Sequence, residues 1–231
     1  ASPEGEEGIE MQNMIMPSVR FPEGSRYPMK CKVTVDPRIK IPQEFLQLPH
    51  VVQVRGEFCE EMAEDFANAF NAAENTGQDI IPVVIDSYGG DVYALMSMID
   101  VVNSSSKPVA TIVTGKAMSA GAVLLTCGTE GLRFAAPNST IMIHSAWETG
   151  LSGNADEVKV GADELMRLNR KLLEMMAKNC GQEKDYFSKI MTQKKNTDWF
   201  IQAKDALRHN LVNHIRIPEF SVNVSMSIQF K

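Results

Sequence analysis

The segment of the chain best suited to chemistry is a run of small residues around Ser119, from Gly115 to Ala122. A strand-like apolar stretch precedes this run and a helical pattern follows it, so the serine is expected where a strand turns into a helix. Such a turn exposes a hydroxyl and leaves N–H groups of the first helical turn unpaired, as a nucleophile and an oxyanion site require. Taken alone, the run is more typical of a helix that simply packs tightly on a sheet.

A pair of glycines, Gly89 and Gly90, follows the apolar strand that ends near Ile85. Ligands of open parallel sheets bind beyond the carboxyl ends of the strands. Glycine at that place lets the backbone approach a substrate and aim an amide at it. A plain turn is the alternative interpretation of the pair.

Two further side chains complete a candidate set. His144 ends the apolar run 141–143, and Asp198 precedes the apolar segment that starts at Trp199. A lone histidine at a strand end is more often structural, and Asp198 by itself would be interpreted as a turn or cap residue. The other three histidines lie in loops or on polar helix faces and predict no function: His50, His209 and His214.

Around these residues the pattern alternates between strand and helix. Strands are predicted at 31–35, 51–54, 80–85, 109–114, 132–134 and 141–143, and helices at 60–74, 92–102, 119–127 and 156–179. A helix, a strand and a short helix follow as far as residue 215, and residues 221–230 alternate like a strand. The order predicts an α/β domain with a mostly parallel sheet.

The predicted organisation has three parts. Residues 1–50 form an extended, Pro- and Gly-rich arm with one short strand, 51–217 form the domain, and 218–231 form a strand-like tail. The helix at 156–179 would be capped by Asn154 or Asp156, with Gly181 just past its end. Its many charged residues indicate a helix that lies partly outside the globular head.

Composition limits the classes of function. The 231 residues are 44% hydrophobic and 23% charged, with a net charge of −6 and no basic cluster, which argues against a nucleic-acid partner. Four scattered cysteines form no metal-ligand spacing, so we expect no metal, no cofactor and reduced thiols. No stretch approaches the roughly 18 apolar residues of a membrane span. Acidic residues stand where a signal peptide would be basic; because the chain begins at Ala1, we allow for a removed upstream segment.

Three segments, taken in order along the chain, match the motifs of a known protein family: DSYGGDV at 86–92, GKAMSAGA at 115–122 and RFAAPNSTIMIH at 133–144. Together, and at these spacings, they resemble the ClpP family of self-compartmentalising serine peptidases over roughly residues 51–215. The third segment is the most specific, whereas the glycine-rich pieces are shared with the wider crotonase-like superfamily. The resemblance implies the ClpP/crotonase-like fold of stacked βα units with a protruding handle helix at about 156–179.

The resemblance also implies site roles. Ser119 would be the nucleophile, His144 the base, and Asp198 the residue that orients the imidazole, while the amides of Gly90 and Ala120 would form the oxyanion hole. It further implies a homo-oligomer of two stacked heptameric rings, an AAA+ unfoldase partner, and peptide or unfolded-protein substrates. The compartment expected is the cytoplasm or an equally reducing one, such as an organelle stroma or the cytosol of an infected cell.

The sequence departs from the family at several positions. Tyr88 replaces the usual proline and Ala120 the usual methionine, changes that would reshape the substrate pocket. Ser145 and Ala146 replace Gln-Pro after the histidine, and the segment before Asp198 is longer than usual. If that insertion shifts the register, Asn196 would stand in for Asp198 as a weaker, uncharged partner.

Two other functions compete with peptidase activity. A catalytically weak ring subunit with a gating or assembly role would explain the long arms and the insertion. Acyl-CoA chemistry of the crotonase type would use the same fold and oxyanion amides, but it predicts no Ser, His and Asp set.

Overall fold

The computed structural model describes residues 31–35, 49–145 and 153–224. Within them the strands are β1 (Cys31–Val35), β2 (Val52–Phe58), β3 (Ile81–Gly90), β4 (Val109–Met118), β5 (Arg133–Ala135), β6 (Thr140–Ile143), β7 (Trp199–Gln202), β8 (His214–Ile215) and β9 (Phe220–Val224). The helices are α1 (Glu60–Glu74), α2 (Val92–Asn103), α3 (Ala120–Thr126), α4 (Ala155–Asn179), α5 (Tyr186–Gln193) and α6 (Ala203–Arg208). The predicted arm before residue 31 and the tail beyond residue 224 lie outside the described residues.

Parallel pairing dominates the main sheet. The strands lie in the order β2-β3-β4-β5-β8, and β6 pairs with the far end of β4. Strand β7 pairs with β6 and is antiparallel to it, whereas every other pair in this sheet is parallel. β1 and β9 form a separate parallel pair. The prediction of an α/β fold with a mostly parallel sheet is confirmed.

Both faces of the sheet are covered by apolar residues, because alternate side chains of a strand point to opposite faces. On β3, Ile81, Val83 and Ile85 lie in the large core shared with the helices. Val84, between them, belongs to a smaller cluster on the other face with Ala110, Ile112 and Phe134. Such double burial is typical of parallel strands and accounts for their continuous apolar runs.

The long helix α4 begins with a capping box. The Asn154 side chain accepts hydrogen bonds from the amides of Asp156 and Glu157, both at 3.0 Å. In return the Glu157 carboxylate accepts one from the Asn154 amide at 2.9 Å. Asn154, rather than Asp156, is therefore the cap. Gly181 (φ 64°) follows the helix end as predicted.

The buried side chains of α4 all lie in its C-terminal half: Leu168, Leu172, Leu173, Met176 and Ala177. In its N-terminal half, Val160 is 68% exposed and Met166 is 59% exposed. The predicted helix that lies partly outside the head is thus confirmed for the single chain. Among the described helices, none is long and apolar enough to span a membrane.

Two strand ends differ from the prediction. Strand β3 does not stop at Ile85 but continues through both glycines, which pair with Glu57 and Phe58 of β2 beyond a bulge. Strand β4 likewise continues past Gly115 to Met118, because residues 116–118 pair with β6. The plain-turn interpretation of Gly89 and Gly90 is therefore wrong, and α3 begins at Ala120 rather than at Ser119.

Candidate active site

Ser119 is the single residue between β4 and α3 and has the unusual backbone angles φ 54° and ψ −118°. Its amide donates a hydrogen bond to the Met142 carbonyl at 2.8 Å, which ties the turn to β6. Its own carbonyl accepts from the amides of Ala122 and Val123 in the first turn of α3. A non-glycine residue in this region of φ is strained and persists only where its surroundings hold it, as at many active sites.

Small residues make this strained turn possible. A Cβ added to Gly89 would lie 2.8 Å from the Ser119 Cβ and 3.1 Å from the Ala120 nitrogen. Gly121 similarly faces the Ser87 carbonyl, 3.5 Å from where its own Cβ would be. The small-residue run therefore packs tightly on the sheet and also positions the serine, so the two interpretations of its sequence are compatible.

Ser87 organises the glycine pair beside the serine. The Ser87 hydroxyl donates to the Gly56 carbonyl at 2.5 Å and accepts from the Gly89 amide at 3.0 Å. Gly90 (φ 146°) leaves no room for a side chain, since its Cβ would lie 2.5 Å from the Phe58 carbonyl oxygen. Ser87 was not singled out from the sequence, although it stands inside the glycine-rich segment.

His144 contacts Ser119 directly. Its Nε2 atom lies 2.7 Å from the Ser119 Oγ atom, a hydrogen-bond distance. The imidazole is largely buried, with 14% of its side chain exposed. Burial lowers the pKa of His144, and the nearby charge of Asp198 opposes this by raising it. The net lowering keeps the imidazole neutral near pH 7, so that Nε2 can accept the hydroxyl proton.

Asp198 lies on the other side of the imidazole. One carboxylate oxygen is 3.7 Å from His144 Nδ1, and 54% of the aspartate side chain is exposed. The antiparallel ladder pairs Ile143 with Trp199, so one further step of the register sets Asp198 opposite His144. Asn196, the proposed substitute, instead accepts a hydrogen bond from the Ser145 hydroxyl at 3.4 Å.

Tyr88 stands at the edge of the site. Its ring is 73% exposed, and the Lys116 ammonium lies over it at 4.3 Å from the ring centroid. The same ammonium is 2.8 Å from the Asp86 carboxylate, which Arg55 approaches to 3.6 Å. These contacts join the three charged side chains into one group next to Tyr88.

Arg133 is a buried structural residue that the sequence did not reveal; it pairs with Thr111 near the start of β4, far along that strand from Ser119. It is buried (1% exposed) and bonds carbonyls at the C-terminal ends of three helices: Gly128 after α3, Asn179 at the end of α4 and Asn210 after α6. Its second terminal nitrogen also binds the Glu130 carboxylate at 2.7 Å. This arginine opens the RFAAPNSTIMIH segment at 133–144. Its burial was not predicted, because an arginine beside an apolar run is ordinarily exposed.

No metal site accompanies this arrangement in the described ranges, where no three His, Cys, Asp or Glu side chains could hold an ion together. The described cysteines Cys59, Cys127 and Cys180 are free thiols. Burial raises the pKa of Cys127 and of Cys180 to about 12, so both stay protonated and unreactive. Cys59 is exposed.

A hydroxyl poised against a neutral imidazole at the carboxyl end of a parallel sheet is an arrangement suited to nucleophilic catalysis. A family model described as Clp protease matches residues 38–218. The chain therefore belongs to the Clp protease family, whose members are serine peptidases that typically form ring oligomers and work with unfoldases. The family predicted from the three sequence segments is confirmed.

Proposed function

We propose that this chain is a serine endopeptidase that cleaves peptides and unfolded proteins through Ser119, His144 and Asp198. The observation that carries the proposal is the 2.7 Å contact between Ser119 Oγ and His144 Nε2, at a serine with a strained backbone. A merely structural serine in a helix cap has no need of either feature, since its side chain would bond the helix amides. The Ser119 side chain makes no such cap bond.

The mechanism follows from these positions. The Ser119 oxygen bonds to the scissile carbonyl carbon while its proton passes to His144 Nε2. The C–N bond then breaks as Nε2 returns that proton to the leaving amine, which leaves an acyl-serine. A water molecule attacks this ester in the same way, with His144 as the base, and releases the acid and the free serine. Asp198 stabilises the imidazolium that forms in each half.

Gly90 and Ala120 are the proposed oxyanion donors. Ala120 opens α3, so its N–H has no partner within the helix. The Asp91 amide bonds the Phe58 carbonyl of β2 at 2.8 Å. In the proposed site the Gly90 amide would donate to the oxyanion that forms beside Ser119. Removal of one such donor typically lowers the rate by about 10²–10³-fold.

Assembly is the second part of the proposal. The exposed apolar side chains of α4, Val160 and Met166, support a role for this helix in joining two heptameric rings back to back. The substrate chamber would lie inside the rings and an AAA+ unfoldase would feed it, as is typical of the family. The three free thiols among the described residues are compatible with a reducing compartment such as the cytoplasm.

A fluorophosphonate probe tests the catalytic proposal. The purified protein should be labelled at Ser119 and should cleave short fluorogenic peptides, whereas Ser119→Ala should lose both properties. Ser145→Ala, which removes a neighbouring hydroxyl that does not contact His144 Nε2, is the matched control and should still be labelled. Absence of labelling together with absence of peptide cleavage would refute the proposal.

A catalytically weak ring subunit remains a second candidate, and the exposed Asp198 carboxylate at 3.7 Å from His144 favours it. In that case a homomeric preparation would be inactive, and activity would appear only on mixing with a second, active subunit. To distinguish the two candidates, the Ser119→Ala variant of this chain is mixed with the active subunit, the mixed ring is isolated by size-exclusion chromatography, and its peptidase activity is measured. If the chain only gates or assembles, the mixed ring retains its activity with the alanine variant.

A further inference from the structure

The Asp198 carboxylate is not held by its own side-chain contact. At 3.7 Å its approach to His144 Nδ1 exceeds hydrogen-bond distance, and half of the side chain faces solvent. The backbone before it is a turn in which Lys195 and Asn196 both have positive φ, 55° and 56°. The position of the carboxylate must therefore come largely from the backbone that follows it, which begins with Trp199.

Trp199 lies within a cluster of rings on the opposite side of the strand from Asp198. Its indole packs edge-on against His209, with ring centroids 4.9 Å apart at an interplanar angle of 89°. The ring centroid of Phe187 in α5 lies 6.5 Å from that of Trp199, and the Lys194 ammonium lies 5.4 Å from the Trp199 ring centroid. The indole is half-buried, whereas its strand neighbours Asp198 and Phe200 are exposed.

His209 is itself fixed. Its Nδ1 atom is 2.7 Å from the Tyr186 hydroxyl, and the Tyr186 and His209 rings are 5.9 Å apart. Burial lowers the pKa of His209, with Asp205 opposing and Arg208 and Lys194 reinforcing the shift. The hydrogen bond between Tyr186 and His209 gives Trp199 a rigid surface, because Tyr186 opens α5 and His209 caps the end of α6.

We propose that Trp199, seated against His209 and Phe187, is a positioning residue that sets the distance between the Asp198 carboxylate and His144. The proposal rests on the catalytic function proposed above for Asp198. In this proposal the aromatic cluster supports catalysis through Asp198, although the rings of the cluster lie behind the strand and touch no reacting atom.

A double-mutant cycle tests the role in the full-length protein. Trp199→Ala should lower kcat for a short peptide by about tenfold or more while KM changes less than twofold, and Trp199→Phe should recover most of the loss. In an Asp198→Asn background, the same Trp199→Ala change should cost almost nothing further. Full additivity of the two losses would overturn the proposal, because it would indicate general destabilisation.

The titration of His144 gives a readout that needs no turnover. Asp198 raises the His144 pKa, so a displaced carboxylate should lower it. The pH dependence of diethylpyrocarbonate acylation of His144, followed by peptide mass spectrometry, should shift in Trp199→Ala to the value of Asp198→Asn. An unchanged value would refute the positioning role even in a protein without peptidase activity, so this failure is distinct from failure of the proposed function.

Two further variants distinguish a positioning role from a general loss of stability. Tyr186→Phe removes the hydrogen bond to His209 and keeps the rings, so it should shift the His144 titration in the same direction by a smaller amount. Phe70→Leu disturbs a ring pair in α1 that is remote from the site; it should lower thermal stability and leave the His144 titration unchanged. A shift of equal size in Phe70→Leu would overturn the inference.

Discussion

At His144 two opposing influences set the affinity for a proton. Burial in a largely apolar site disfavours the imidazolium, and Asp198 favours it. Because burial is the larger cause, the free base persists to a lower pH than the ordinary histidine pKa of 6.5 would allow. The proposed nucleophile, Ser119, would thereby be supplied with a base throughout the neutral range.

This balance predicts the acid limb of the pH–rate profile. As the pH falls, kcat/KM should decline with a midpoint below 6.5, because protonation removes the base. Asp198→Asn should move the midpoint lower still and reduce kcat by about 10²-fold or more, since the imidazolium loses its charged partner. Stopped peptide assays between pH 4.5 and pH 8 (roughly the range over which histidines titrate) measure both. A midpoint above that of an ordinary histidine would contradict the balance described here.

Among the elements, helix α4 depends most on local interactions. No residue of its first half is fully buried, so tertiary packing holds that half weakly in the single chain, and its start relies on the capping box at Asn154 and Glu157. The end of the helix is stabilised differently, by packing and by Arg133 at the Asn179 carbonyl.

Loss of the cap should therefore fray the exposed half. Asn154→Ala is expected to cost about 1 kcal/mol of local stability, equivalent to roughly fivefold faster amide exchange in the first two turns. Asn154→Ser, which keeps an acceptor for the helix amides, is the control and should exchange almost as the parent does. Hydrogen–deuterium exchange with peptide-level resolution makes the comparison. Equal protection in all three proteins would mean that other contacts stabilise this end.

Helices were easier to predict than strand ends. Strong periodicity predicted α1 with its observed bounds, whereas β3 and β4 extend through glycines that ordinarily end a strand. The bulge beside Gly56 and the pairing with β6 supply the ladder hydrogen bonds that a local pattern does not reveal. Ser119 and His144 could be singled out because short motifs surround them. Asp198 was proposed as their partner from the resemblance, but its approach to His144 depends on the β6–β7 register after a segment longer than usual, which a local pattern does not reveal.

Over the whole molecule, Arg133 joins parts that are distant in sequence. Its guanidinium bonds carbonyls after or at the ends of α3, α4 and α6, where helix dipoles concentrate negative charge. It thereby joins the C-terminal end of α3, the helix that follows Ser119, to the C-terminal end of α4. Nothing in the composition indicated this, since the charge is balanced mainly by backbone dipoles and by one exposed glutamate.

Replacement of this arginine should destabilise the entire domain. Arg133→Met is expected to lower the free energy of unfolding by about 3 kcal/mol or more, because buried carbonyls lose their charged donor. Arg208→Met removes a surface arginine paired with Asp205 and should change stability by less than about 0.5 kcal/mol. Urea unfolding at one fixed protomer concentration compares them. Similar small losses in both would show that the buried contacts contribute little.

The antiparallel strand β7 has a consequence for how this chain can vary. The hydrogen bonds between β6 and β7 fix which residue faces His144. The length of the connection that leads into β7 therefore does not set the distance between Asp198 and His144. Residues can be gained or lost upstream of Asp198 over evolutionary time without displacing it, provided that the strand itself keeps its length. The slip of a single residue inside β7 would, by contrast, turn the carboxylate to the opposite face.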